Sequence, residues 1–293
     1  MTHLMEHMPE ILSHTLLDTL KLIPFLFLAY LLMEFLEHKS GSAAEAQLKR
    51  SGKIGPLLGS ALGILPQCGF SVAAAGLYTG RVITTGTLVA VFLATSDEML
   101  PILVSEGAPL PLIFKILGIK LLIGIVAGFL IDLVERVIHR KRSIVTEPRI
   151  EELCEREHCR CGEHFALSAV RHTLHVTLFV LLFTFLLNLL LHGIGEDKLG
   201  TLLTATPVVG NLVAALVGLI PNCASSVVLT EMYLSGILSA GAMLSGLLVN
   251  AGIGLAVLFR NNRPVRDSFR ILALLFGIGT LTGILIDLLR IFS

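Results

Sequence analysis

Long apolar runs alternate with short polar breaks along this chain. Runs at about 11–36, 84–104, 112–138, 172–192, 237–259 and 271–290 each predict a helix able to cross a hydrocarbon core of about 30 Å. Two further runs, 54–80 and 207–235, are interrupted near their middles by Pro66 and Pro221. Proline lacks the backbone donor and breaks a helix, so each run predicts two short arms joined at a kink. The arm 54–65 would be about 18 Å long as helix, roughly half a bilayer. Each broken segment is therefore a re-entrant hairpin or one kinked span. Two of the full-length runs also carry polar interruptions, Thr95-Ser96-Asp97-Glu98 and Asn250-Ala251-Gly252. Both spans are expected to unwind there, with Pro101 assisting in the first.

The pattern occurs twice. Ile64-Leu65-Pro66-Gln67-Cys68 returns as Leu219-Ile220-Pro221-Asn222-Cys223, 155 positions later. The same gapless offset pairs Gly63 with Gly218, Ser71 with Ser226, Tyr78 with Tyr233 and Gly86 with Gly241. It still holds where Gly128-Phe129-Leu130-Ile131-Asp132-Leu133 meets Gly283-Ile284-Leu285-Ile286-Asp287-Leu288. Duplicated apolar units with interrupted segments at corresponding positions are the pattern of a transporter built on a pseudo-two-fold axis.

Charge chooses between hairpin and kinked span. Sixteen of the 22 basic residues fall in three regions. Lys39, Lys49, Arg50 and Lys53 precede the first broken segment. Arg136, Arg140, Lys141, Arg142, Arg149, Arg156, Arg160 and Arg171 lie in or beside the central polar stretch, and Arg260, Arg263, Arg266 and Arg270 precede the last span. The loops 105–114 and 193–206 contain only Lys198. Basic residues near spans collect on the cytoplasmic side. All three regions share that side only if 54–80 and 207–235 each leave where they entered.

The expected fold is thus all-α and integral to the membrane: two inverted-topology repeats, each of three transmembrane helices plus one re-entrant helical hairpin. The first repeat is 1–138, a Cys/His-containing cytoplasmic linker is 139–170, and the inverted second repeat is 171–293. Both termini are expected outside, in a multi-pass protein of the cell's inner (plasma) membrane. Met1 to Glu10 has no Lys or Arg, so no cleavable signal is expected.

Composition agrees. The chain is 54% hydrophobic and 15% charged over 293 residues, with a mean hydropathy of +0.83; soluble domains carry about 25% charged residues. Its zero formal net charge carries no indication of partners, and no nucleotide-binding glycine loop occurs. Nucleic acid is not an expected partner. Glycines within the apolar runs suit close helix packing.

Candidate chemistry gathers at the interruptions. The tips Pro66-Gln67-Cys68-Gly69-Phe70-Ser71 and Pro221-Asn222-Cys223-Ala224-Ser225-Ser226 each offer an amide, a thiol and hydroxyls. Non-helical backbone at membrane depth is tolerated inside protein or along a water-filled cavity. Two such tips meeting at the midplane would form a small polar site; otherwise the small residues simply let hairpins pack. Asp97 and Glu98 lie deep in a span, where each charge costs about 2.5–3.5 kcal/mol on insertion scales, and so need a proton, a cation or a partner such as Lys115 or Lys120. Thr95 and Ser96 adjoin them, and Asn250 is the amide counterpart in the second repeat. Glu231, Lys120, Asp18 and Lys21 are weaker candidates. Asp132 and Asp287, matched near span ends, suit an interfacial role.

The linker places Cys154, His158, Cys159, Cys161 and His164 within 11 residues. Thiols and imidazoles together suit zinc and softer ions, although the two-plus-two spacing of a zinc finger is absent. In a reducing cytosol these thiols should stay unpaired.

The motifs Leu65-Pro66-Gln67-Cys68-Gly69-Phe70-Ser71, Ala94-Thr95-Ser96-Asp97-Glu98, Gly218-Leu219-Ile220-Pro221-Asn222-Cys223-Ala224 and Leu248-Val249-Asn250-Ala251-Gly252 resemble the ten-transmembrane heavy-metal exporters. These are grouped with arsenic permeases, and some members are labelled manganese transporters. The resemblance spans nearly the whole chain and implies export of a metal or metalloid, without fixing which. Its ten segments agree with six spans plus four hairpin arms. It supplies no catalytic residues to carry over.

The expected function is secondary-active transport of a small inorganic ion, outward, coupled to a proton or cation, with no cofactor. The solute would meet Gln67, Cys68, Ser71, Asn222, Cys223, Ser225 and Ser226 between the tips, with Thr95, Ser96, Asp97, Glu98 and Asn250 beside them. Tip thiols favour arsenite-like or soft metal species, carboxylates and amides favour manganese or another divalent cation, and converging amide donors favour an oxyanion. An intramembrane enzyme using Asp97-Glu98 or a tip cysteine, and a metal sensor working through the linker, are the competing classes. The lack of a histidine beside either tip cysteine weighs against the enzyme. The composition is compatible with a homo-oligomer.

Overall fold

The computed structural model describes residues 54–65, 68–96, 98–139, 207–222 and 224–292, with scattered helical positions between 20 and 31 and between 170 and 182. Among the described residues every regular element is α-helical. In chain order they are α1 (Gly55–Gly63), α2 (Cys68–Thr79), α3 (Thr85–Ala94), α4 (Met99–Ser105) and α5 (Leu110–His139), then α6 (Pro207–Gly218), α7 (Ala224–Leu234), α8 (Ala240–Val249), α9 (Ile253–Asn261) and α10 (Val265–Leu288). The expected spans 11–36 and 172–192 and the linker 139–170 lie mostly outside the described residues.

Among the described residues four stretches are long and apolar enough to cross a membrane: Thr85–Ser105, Leu110–Ile138, Ala240–Asn261 and Val265–Leu288. The first and third are α3–α4 and α8–α9, broken where the sequence places Thr95-Ser96 and Asn250-Ala251. Pro101 falls in the first turn of α4, where its missing donor costs little. The last span begins at Val265 rather than at 271. Pro264 sits at its N-cap with extended backbone, and Asp267 in the first turn suits the positive end of the helix dipole.

The 155-residue offset reappears as matched packing. At the crossing of α3 and α5, a side chain added at Gly86 would strike the Gly128 carbonyl; at that of α8 and α10, one added at Gly241 would strike the Gly283 carbonyl. One turn beyond each crossing a carboxylate holds the start of the partner helix. Asp132 accepts from the Gly86 N–H at 2.9 Å and the Thr84 hydroxyl at 2.8 Å. Asp287 accepts from the Gly241 N–H at 2.9 Å and the Ser239 hydroxyl at 2.8 Å. Each hydroxyl in turn caps the helix it precedes, accepting from Thr87 N–H and Ala242 N–H at 3.1 Å. These bonds occupy helix-start donors that have no intrahelical partner.

The short arms run beside the broken spans. Gly55 abuts Thr87 and Gly63 abuts Ala94, so α1 lies parallel to α3. Tyr78, near the end of α2, brings its hydroxyl to 3.4 Å from Thr85 Oγ1 at the start of α3. Both ends of the 54–80 segment therefore sit at the start of α3, and its kink sits at α3's C-terminal end. In the second copy Asn211 of α6 donates to Asp287 at 2.8 Å, level with the start of α8, and Gly218 abuts Gly246. Ser71 of α2 packs on Gly254 of α9, and α7 packs on α4, so each second arm lies against the other copy.

Opposite ends of the matched helices α5 and α10 meet. Glu135 near the end of α5 pairs with Arg270 near the start of α10 at 3.1 Å. Lys115 near the start of α5 donates to the Ile291 carbonyl just past α10 and lies 4.6 Å from the Phe292 ring centre. Two apolar cores result, each drawing on both copies. One gathers Val72, Phe92, Ile131, Leu258 and Ile271; the other gathers Met99, Ile116, Ala214, Met243 and Ile286. The broken spans fill the interior, with 94% of the Ala240–Asn261 window buried, whereas the windows on α5 and α10 are 33% buried. Leu122, Leu130, Leu133, Leu281 and Leu285 on those two helices are exposed, a face suited to lipid rather than water.

Candidate functional site

The C-terminal ends of α3 and α8, one from each copy, meet the start of α7 between the two cores. They form a tight cleft lined by Thr95, Ser96, Met99, Ser226, Leu247 and Asn250. Four of these six are residues the sequence singles out.

Thr95, Ser96 and Asn250 are held by local bonds. The Thr95 hydroxyl donates to the Val91 carbonyl at 2.8 Å, and the Ser96 hydroxyl donates to the Ala94 carbonyl at 2.9 Å. The Ala94 carbonyl is one of the acceptors left over where α3 ends, whereas the Val91 carbonyl also accepts from the Thr95 N–H at 3.0 Å. Asn250 Oδ1 accepts from the Gly252 N–H at 2.9 Å across the second break. Gly252 has φ +53° and ψ −147°, a conformation essentially restricted to glycine. The amide thus braces a turn that no other residue type adopts without strain.

Lys120 of α5 is completely buried at the same level. Its ammonium donates to the Thr95 carbonyl, and to the Leu247 carbonyl at 3.1 Å. It therefore joins the C-terminal ends of α3 and α8, where carbonyls and the negative end of each helix dipole favour a cation. The two carbonyls it binds belong to the ends of the half-helices themselves.

The other expected site residues fall around this cleft. Ser71 is buried on the matched side, against Gly254, and does not line it. Asn222 is buried at the turn before α7 and Ser225 in the first turn of α7, where the Ser225 hydroxyl donates to the Asn222 carbonyl at 2.8 Å. Glu98 occupies the N-cap of α4 and is half-buried. Cys68 begins α2, but its side chain lies outside the described set, as do Gln67, Asp97 and Cys223. The linker ligands Cys154, His158, Cys159, Cys161 and His164 also lie outside the described residues. Among the described residues no three His, Cys, Asp or Glu side chains gather as a metal centre.

Sequence reasoning underrated Lys120 and passed over Met99 and Leu247. Leu247 carries no polar signal. Lys120 stands alone in an apolar run, and its partners are backbone carbonyls 25 and 127 residues away, which no side-chain motif reveals.

The family model described as "Putative, 10TM heavy-metal exporter" matches residues 9–166 and 146–259. The chain belongs to this family. All six residues that line the cleft fall within the matched ranges. Membership makes the chain a multi-pass membrane protein related to heavy-metal exporters. No curated protein and no solved structure gives a significant match.

Proposed function

We propose that the chain is a secondary-active exporter of a heavy metal or metalloid, working by alternating access at the cleft between the two broken spans. The observation that carries this reading is that Thr95 and Ser96 of one copy and Ser226 and Asn250 of the other line one buried cleft. Polar backbone breaks at membrane depth need such a setting, and transporters with discontinuous helices bind substrate there. Inverted repeats are supported by the Glu135–Arg270 and Lys115–Ile291 contacts, which join opposite ends of matched helices. Re-entrant hairpins are supported by the out-and-back course of 54–80 beside α3. The start of α3, the end of α5 and the start of α10 share one end of the bundle, the end to which the basic residues assign the cytoplasm. The tightness of the cleft means that an ion enters only when the copies rock apart.

A second reading, an inorganic oxyanion or neutral hydroxylated metalloid rather than a bare divalent cation, is favoured by the lining. Three hydroxyls and an amide face the cleft, and the ammonium that binds Thr95 and Leu247 adds positive charge beside it. Soft-ion ligation would instead fall to Met99 and to the tip cysteines Cys68 and Cys223. Asp97 and Glu98 remain candidate carriers of a coupling proton.

The test is growth of a deletion strain on arsenite, arsenate and Mn²⁺, with cell content of each measured. Wild-type chain should lower the content of at least one. Ser226→Ala combined with Asn250→Ala should abolish that effect at equal membrane abundance. Cys68→Ser with Cys223→Ser should abolish it only if the exported species is bound through thiolate. Unchanged export in the Ser226/Asn250 double variant would remove the cleft from the mechanism.

A further inference from the structure

Lys120 has a geometry that the transport reading does not by itself require. It sits ten residues into α5, about 15 Å from that helix's start, fully buried. Its repeat counterpart, 155 residues on, is Leu275, also fully buried. The duplication thus placed a cation on one side of the axis and an isobutyl group on the other. The two carbonyls it binds, Thr95 and Leu247, come from the C-terminal ends of half-helices in different copies. In transporters built from broken helices, such ends and unwound carbonyls are where a coupling Na⁺ or H⁺ is held.

We propose that the Lys120 ammonium is a built-in coupling cation: it fills the position an alkali ion would take, and export is driven by protonation and deprotonation of this side chain and is independent of sodium. This rests on the transport reading and deepens it. With the proton on, the ammonium donates to one carbonyl at the end of α3 and one at the end of α8, holding them together across the repeat boundary. Release breaks one N–H bond; the electron pair stays on nitrogen and the proton leaves to water on the open face. The neutral amine is a poorer donor, so the tie is present at low pH and weakens as pH rises. No ionisable side chain occurs on α1, α3, α4 or α8 to compete for this role. Lys115, Asp132, Glu135 and Arg136 on α5 itself lie nearer its ends. Glu98 at the first break and Asp97, outside the described residues, are the acids nearest in sequence to Thr95.

The purified full-length chain in detergent tests this without a known substrate. Its thermal unfolding midpoint is measured in sodium chloride and in choline chloride of equal strength. Wild type should unfold at the same temperature in both. Lys120→Ala should unfold at a higher temperature in sodium chloride, because Na⁺ can enter between the vacated carbonyls. A sodium-stabilised wild type, or an alanine variant indifferent to the salt, would overturn the proposal. If the alanine variant does not fold, Lys120→Arg decides, since guanidinium keeps its charge at all working pH values. The arginine variant should keep the wild-type unfolding midpoint and lose export of whichever of arsenite, arsenate or Mn²⁺ the wild type expels. Export at the wild-type rate with the same pH profile would refute the coupling role. If wild type expels none of the three, the transport reading fails on those probes, while the salt comparison still judges Lys120.

Discussion

Asp132 and Asp287 each hold a helix start with both carboxylate oxygens, on the same pair of partner types. Their matched positions are visible in the sequence, but an interfacial role is all that residue type and depth suggest. The capping role needs the glycine crossing one turn earlier, because only glycine lets the helices approach closely enough. Asp132→Ala and Asp287→Ala should each lower stability by about 1–2 kcal/mol, the cost of losing a cap and leaving donors unmet. Thermal unfolding in detergent would measure this. Export per folded molecule should persist, since neither residue lines the cleft. Asn250 and Ser226 carry the opposite expectation, loss of export with the fold retained. The sequence marked those two as polar interruptions in apolar surroundings, a signal that survives without an alignment. Lys120 gave the same kind of signal, but the two carbonyls it binds are main-chain atoms that no side-chain pattern marks.

At the scale of elements, interruption was more legible than continuity. The helix pair α1 and α2 is divided between Leu65 and Cys68, α6 and α7 are divided at Pro221-Asn222, and the breaks at Thr95 and Asn250 divide α3 from α4 and α8 from α9. Each is signalled by a residue that disturbs a helix or supplies a side-chain acceptor. The start of α10 was misplaced because Arg266, Asp267 and Arg270 read as loop. Arg270 is instead helical, its charge engaged by Glu135 at 3.1 Å. The paired glycines make a sharp prediction here. Gly86→Leu or Gly241→Leu forces the crossing apart, since even a methyl carbon would sit 2.2 or 2.3 Å from the facing carbonyl oxygen. Overpacking of this kind costs about 1–3 kcal/mol or more. Either variant should show reduced folded yield by size-exclusion profile, whereas Gly118→Ala, with nothing within 4 Å of an added carbon, should not.

For the whole molecule, the two copies interlock. Each apolar core contains helices of both, and the second arm of each kinked segment rests on the other copy's split span. The offset of 155 announces duplication, yet the exchange of arms is a tertiary fact that no local pattern encodes. The three basic regions carry the expectation about direction. The most direct test of two opposed copies is single-cysteine labelling in a cysteine-free chain, using a membrane-impermeant thiol reagent on intact cells and on inverted vesicles. Cysteines in R81C and R263C should react only from the cytoplasmic face, and those in E106C and S235C only from the outer face. Reaction of R81C and R263C on different faces, or of S235C on the same face as R263C, would contradict the opposed arrangement.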